Sequence, residues 1–337
     1  MHFSKQTSRQ QIDFFCRQDS CVYTHGVRGR QPNLQICRSM SRHAFWQTVC
    51  LLLLLIGYPL ANGMQAGEPR RLTHDGKLKF APTFTADTNE IVYSIHEEPT
   101  RVLLKRLQLS DGSEALLYPS LAAHQHDPDF SPDGRLLCFA MSSGSPQLVL
   151  IIKDLRTNQE SSFHPQGARS TVRTPRFTPD NKRIVFMLSA PGGQQIASVD
   201  IEGGDLSRLT QSEGMNCWPS VSPDGQQIVF GSSRDRGFCI YAMNIDGSSI
   251  RRLTHHPLRD MRPVWSPDGR SIAFTSNRDG NSEVYIMDRD GRRLRRVTHH
   301  PERDDYPVWH PDGSQILMVS QRDGAHDLYL VDVPTAD

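Results

Sequence analysis

An all-β fold, a six-bladed β-propeller of four-stranded blades closed by an N-terminal strand, is predicted by three observations. A seven-residue motif recurs six times at near-constant spacing. The intervals between copies hold short strand-like runs punctuated by Asp-Gly turns. One spare strand stands before the first copy, and one is missing after the last.

The motif is clearest as Pro263-Val-Trp-Ser-Pro-Asp-Gly269 and Pro307-Val-Trp-His-Pro-Asp-Gly313. Copies begin at Pro128 and Pro219, and weaker ones at Pro82 and Pro175. The anchor prolines are 46, 47, 44, 44 and 44 residues apart, a period that marks propeller blades built from short strands. Within a repeat, strand a surrounds the anchor proline. Strand b follows the turn, as in Ser271–Thr275, and strand c alternates, as in Val284–Met287. Strand d is Arg-Arg-Leu-Thr or similar, as at 251–254. Alternation and β-branched or aromatic content favour strands over helices. In Ser-Pro-Asp-Gly, proline presets φ, Ser and Asp bond the local backbone, and glycine takes the left-handed position, closing an a–b hairpin. Asp-Gly at 111–112, 246–247 and 290–291 closes c–d hairpins. After Pro307 only strands a, b and c remain, whereas Arg70-Arg71-Leu72-Thr73 is a strand d without a blade. The two ends are therefore expected to complete one blade, a closure that leaves no open sheet edge in the ring.

The region before the repeats reads as an address. Val49–Ile56 is apolar and uncharged, Arg42 and His43 precede it, and small residues follow at 61–66. The run is too short and interrupted for a membrane span and has the form of a secretory signal peptide. The expected organisation is an upstream extension at 1–39, with Met40 as the start of translation, a signal peptide at 40–66, and the propeller at 67–337. Export places the mature protein in the periplasm or outside the cell, with no membrane span after cleavage. Of the 337 residues, the first 66 carry a net charge of +5 and the rest −4. That mildly acidic body lacks the footprint of a nucleic-acid binder. Three cysteines follow the signal region, Cys138, Cys217 and Cys239. An odd count argues against a disulfide framework, with one bridge, Cys217 to Cys239, left open.

Trp265-Ser-Pro-Asp-Gly269, Thr275-Ser-Asn-Arg-Asp-Gly280, Val284-Tyr-Ile-Met-Asp288 and Arg-Arg-Leu-Thr together resemble the WD-like propeller repeat of the TolB family. The resemblance spans roughly 68–337, and not the α/β domain that precedes the propeller in that family. It implies a periplasmic, non-enzymatic, six-bladed module that binds proteins, an envelope lipoprotein among them.

Repeat architecture accounts for most of the residues that could carry chemistry. His255-His256 and His299-His300 follow strand d at equivalent places, as His74 does, so they read as architecture and not as metal ligands. Asp288-Arg-Asp290-Gly opens like a calcium loop, but lacks the later glutamate. Arg234-Asp235, Arg278-Asp279 and Arg322-Asp323 recur in the b–c loops and are expected to form local ion pairs. No G-x-S-x-G elbow occurs. No catalytic residue, metal site or cofactor is expected, and the chain is expected to be a monomer. The two residues before each anchor proline, by contrast, differ from blade to blade. They are expected on d–a loops at one mouth of the central channel, giving a binding rim of His126, Asp127, Arg173, Trp218, Arg262, Asp305 and Tyr306. Mixed aromatic, basic and acidic groups suit a protein or peptide ligand. The alternative is a carbohydrate-active lyase or hydrolase resembling oligogalacturonate lyases, with His124, His126 and Arg173 as its working groups.

Overall fold

The computed structural model describes residues 68–334, apart from 99, 143–146, 168–169, 191 and 236. The expectations for residues 1–66 fall outside this set. The described residues form six four-stranded antiparallel sheets. Their inner strands, Lys79–Phe84, Gln125–Phe130, Thr171–Phe177, Asn216–Val221, Asp260–Trp265 and Asp304–Trp309, are strand a of blades 1 to 6. The last sheet is completed by Arg70–Arg71, paired beside strand c of blade 6 through Arg70↔Leu330 and Arg71↔Tyr329. The expected closure is therefore present.

The a–b turns form as their chemistry dictates. In blade 5 the Gly269 N–H donates to Ser266 O at 2.9 Å, and the Ser266 hydroxyl donates to Asp268 at 2.6 Å. In the c–d turns, Gly247 and Gly291 have φ of +87° and +81°, and a Cβ there would meet the carbonyls of Leu209 and Leu253 at 2.5 and 2.6 Å. Only glycine lets these turns lie against strand d of the preceding blade.

Apolar faces of adjacent sheets bury against one another, leaving one large cluster at each blade-to-blade interface. Between blades 4 and 5 it contains Ile240, Trp265, Phe274 and Tyr285. At the closing seam Ile91 and Tyr93 of blade 1 meet Leu317 and Leu328 of blade 6. Fully burying each such side chain contributes roughly 1.5–3 kcal/mol. The seam has a polar clasp as well. Buried Asp327 accepts hydrogen bonds from Arg71 at 2.5 Å, Thr73 at 2.7 Å and Lys79 at 3.0 Å.

The b–c loop arginines do something other than the expected local pairing. Arg278 reaches back to Asp260, the first residue of its own inner strand, at 2.9 Å. It also lies over the Phe274 and Tyr285 rings. Arg322 repeats this towards Asp304, and Arg234 towards Asn216. The neighbouring Asp279 instead accepts from the Tyr285 hydroxyl. These arginines thus tie each loop to a buried inner-strand residue. Cys138, Cys217 and Cys239 are buried free thiols, so the Cys217–Cys239 bridge does not form. His256 and His300 each accept the N–H two residues on through Nδ1, at 3.2 and 3.1 Å, which shapes the d–a loops.

Candidate functional site at the channel

Every inner strand is broken at its anchor proline. The ladder between strands a and b shifts register between Phe80 and Thr83 in blade 1 and between Met261 and Val264 in blade 5. Proline has no N–H to give the ladder, so a bulge forms there. The residue before it takes a left-handed backbone in all six blades. Ala81, Asp127, Thr174, Trp218, Arg262 and Tyr306 have φ between +48° and +55°. A left-handed non-glycine residue costs roughly 1–2 kcal/mol, and six in a ring are tolerated because the surrounding blades hold them. The seven rim residues therefore sit within the inner strands, not on d–a loops as expected from the sequence. The bulge re-aims them around the channel.

They also engage one another. Arg173 forks onto Asp127, Nε to Oδ2 at 2.5 Å and Nη2 to Oδ1 at 3.3 Å, and the Thr174 N–H adds a third bond at 3.0 Å. Burial would raise the Asp127 carboxyl, but Arg173 outweighs it and holds it below the usual carboxylate range. Arg262 lies between two rings, 4.0 Å from the centroid of Tyr306 and 5.0 Å from that of Trp218. It donates to Asp305 at 3.1 Å and to the Tyr306 hydroxyl at 3.2 Å. Asp305 also accepts from Thr275 at 2.7 Å and from Arg303. Burial pushes its carboxyl up, and Arg262 and Arg303 more than reverse that. His126 stands apart from both groups, beside Phe80 and His124 at ring-centroid separations of 5.9 and 6.2 Å. Burial, reinforced by Arg173, lowers its pKa to about 4, so it is neutral at pH 7.

Two chambers meet at this layer, and Tyr306 borders both. The outer one, on the side of the d–a and b–c loops, has a volume of about 230 Å³. Phe80, His96, Arg173, Arg303, Tyr306 and His326 border it. The other, on the side of the Ser-Pro-Asp-Gly turns, has a volume of about 300 Å³, and Trp218 and Arg262 border it alone. Of the predicted rim, Arg173 and Asp305 border only the outer chamber, and His126 and Asp127 border neither. Arg303 was missed by sequence reasoning, although Arg259-Asp260 and Arg303-Asp304 repeat one pattern three residues before the left-handed position. His96 and His326 lie at strand ends that no repeat pattern marks.

Among the described residues, no cluster of three His, Cys, Asp or Glu side chains is arranged to hold a metal ion. His124 accepts the Val102 N–H through Nδ1 at 3.3 Å.

Solved structures share this fold. The putative TolB from Agrobacterium tumefaciens is 24% identical, with a TM-score of 0.59 over 69% of this chain and 85% of that one. TolB from Acinetobacter baumannii is 22% identical, with a TM-score of 0.59 over 73% of this chain, which spans 64% of that protein's length. An oligogalacturonate lyase from Vibrio parahaemolyticus is 16% identical, with a TM-score of 0.55 over 78% of this chain and 93% of that one. Likeness at these identities shows the fold, which two different functions share. The family model described as the TolB beta propeller domain matches residues 143–263 and 257–337, together more than half of the sequence. The repeat pattern, the six closed blades and this match lead to one conclusion: the chain belongs to the TolB β-propeller domain family.

Proposed function

We propose that this protein is an exported, non-enzymatic propeller that binds a protein or peptide of the cell envelope at the outer mouth of its channel. The observation that carries the reading is the chemistry of the positions before each anchor proline. They differ in every blade, while the turns and interblade residues repeat. Aromatic and guanidinium groups there are the usual anchors of protein interfaces. Of these, Tyr306 and Arg173 border the outer chamber, with Arg303 beside them. The lyase reading has less support, because Arg173, its proposed working group, is held bidentately by Asp127.

The test is affinity capture from envelope extract, followed by binding measurements with the purified captured partner. Tyr306→Ala and Arg303→Ala should each weaken binding by about thirtyfold, the typical cost of about 2 kcal/mol for a true anchor. Equal capture by wild type and both variants would refute the site. Export has its own check. Protein isolated from the envelope fraction should begin near Met64 or Gly67 on N-terminal sequencing. Mature protein that begins at Met1 in the cytoplasm would overturn the localisation.

A further inference from the structure

We propose that the chamber on the Ser-Pro-Asp-Gly side of the channel is a second binding site, for a small ligand with an apolar body and a carboxylate, with Arg176 as its anchor. The site does not depend on the outer-mouth reading.

The chamber's volume of about 300 Å³ is at the lower end of the range for small-molecule pockets. Apolar groups make up somewhat more than half of its wall. Four anchor prolines line it, and so do Phe130, Phe177, Trp265, Val264 and Val308. Such a wall suits an apolar body. The polar groups include two guanidiniums, several hydroxyls and one carboxylate, that of Asp129. Arg176 is one of two cationic side chains on this wall, with Arg262 at the inner end. Its Nη1 donates to the carbonyl of Pro175 at 2.9 Å. Its closest carboxylate, Asp129, stays 3.7 Å away, outside hydrogen-bond range. Nε and Nη2 of Arg176 have no hydrogen-bond partner among the described residues. A guanidinium with one edge free is matched by a carboxylate, which it can bind bidentately. Arg262 is different, since its two Nη atoms are taken by Asp305 and Tyr306.

Two acceptor side chains of the chamber, Asp129 and Ser220, each already take one backbone N–H, and Asp129 Oδ1 is left 3.7 Å from Arg176 Nη1. Asp129 Oδ2 accepts the Phe177 N–H at 2.9 Å, and the Ser220 hydroxyl accepts the Trp265 N–H at 3.2 Å. At the inner end, Arg262 Nε and Thr174 Oγ1 are buried without partners. An excess of unpaired donors selects a ligand that supplies acceptors, and Asp129 beside Arg176 opposes a second negative charge on it. One carboxylate on an apolar body meets both conditions.

The test is calorimetric titration of the purified full-length chain with 4-phenylbutyrate, and with 4-phenylbutan-1-ol as its uncharged counterpart. Saturable binding of the acid is expected, with the alcohol at least about tenfold weaker, the scale of one charge-assisted pair. Arg176→Gln should lose the acid by a similar factor, and Arg176→Lys should fall between. Asp129→Asn should bind at least as tightly as wild type, because it removes the opposing charge and keeps an acceptor for Phe177. Arg303→Gln, at the other mouth, should bind as wild type does. Absence of saturable binding, equal affinity for acid and alcohol, or wild-type affinity in Arg176→Lys as well as Arg176→Gln would overturn the proposal. So would weaker binding in Asp129→Asn or loss of binding in Arg303→Gln, which would assign the ligand to the outer chamber. If Arg176→Gln fails to fold, wild-type affinity in Arg176→Lys alone overturns it.

Discussion

Asp327→Ala is expected to lower the melting temperature of the propeller more than any single change at its surface. Asp327 is fully buried at the seam and serves Arg71, Thr73 and Lys79 together. The Lys79 side chain is itself fully buried. Removing the carboxylate leaves that ammonium with Asp75 as its remaining carboxylate partner. Breaking a buried pair from one side costs about 3–5 kcal/mol, against a typical total stability of about 5–15 kcal/mol. The seam amplifies the loss, because the N-terminal strand is only Arg70–Arg71. The effect has a pH signature. Burial raises the Asp327 carboxyl, but bonds from Thr73, Arg71 and Lys79 lower it by more, so its pKa in the folded state lies below the ordinary carboxylate value. A depressed carboxylate contributes stability that is full above its unfolded pKa and is lost as pH falls through its folded pKa. Thermal melts from pH 7 to pH 3 should therefore show an acid loss in wild type that Asp327→Asn reduces. Deleting residues 70–73 should match or exceed Asp327→Ala. Wild-type melting of Asp327→Ala would mean that apolar packing alone holds the ring closed.

Arg262→Ala should damage folding and partner binding together. The guanidinium is stacked between Tyr306 and Trp218 and bonded to buried Asp305. Truncation removes two ring contacts and leaves Asp305 with Arg303 as its remaining cationic partner, beside the Thr275 hydroxyl and the Tyr306 N–H. The expected cost is about 2–4 kcal/mol, from the loss of desolvated cation–π contacts and a buried ion pair. Trp218 and Tyr306 also lose the group that holds their rings apart, so the captured partner should bind more weakly as well. Arg303→Ala separates the two effects. Its side chain is 47% exposed, so it should weaken binding with a much smaller fall in melting temperature. Arg262→Lys keeps the charge without the planar fork and should recover only part of either property. Unchanged melting in Arg262→Ala would show that the stack is dispensable, as expected of a loop residue.

That last contrast marks how much was legible in the sequence. The blade number, the turn chemistry and the closing strand could all be read there, because each rests on local rules that repeat every 44 to 47 residues. Proline at 263 and glycine at 269 act within their own hairpin, and Arg70–Thr73 was a spare strand by simple count. The variability of the rim positions was visible too, but not their state. Arg173 and Asp127 are 46 residues apart, and Arg262 and Asp305 are 43 apart. Their pairing depends on how two neighbouring inner strands are set side by side, which no single repeat encodes. The left-handed backbone at Trp218 and Tyr306 was hidden for a related reason. Its cost is local, whereas the packing that tolerates it comes from the adjoining blades. The same holds for Arg278. Beside Asp279 in sequence it reads as a surface pair, and only the fold brings it to buried Asp260. Local periodicity thus determined the architecture, while burial between blades decided which charges meet and which, like the free edge of Arg176, are left for a ligand.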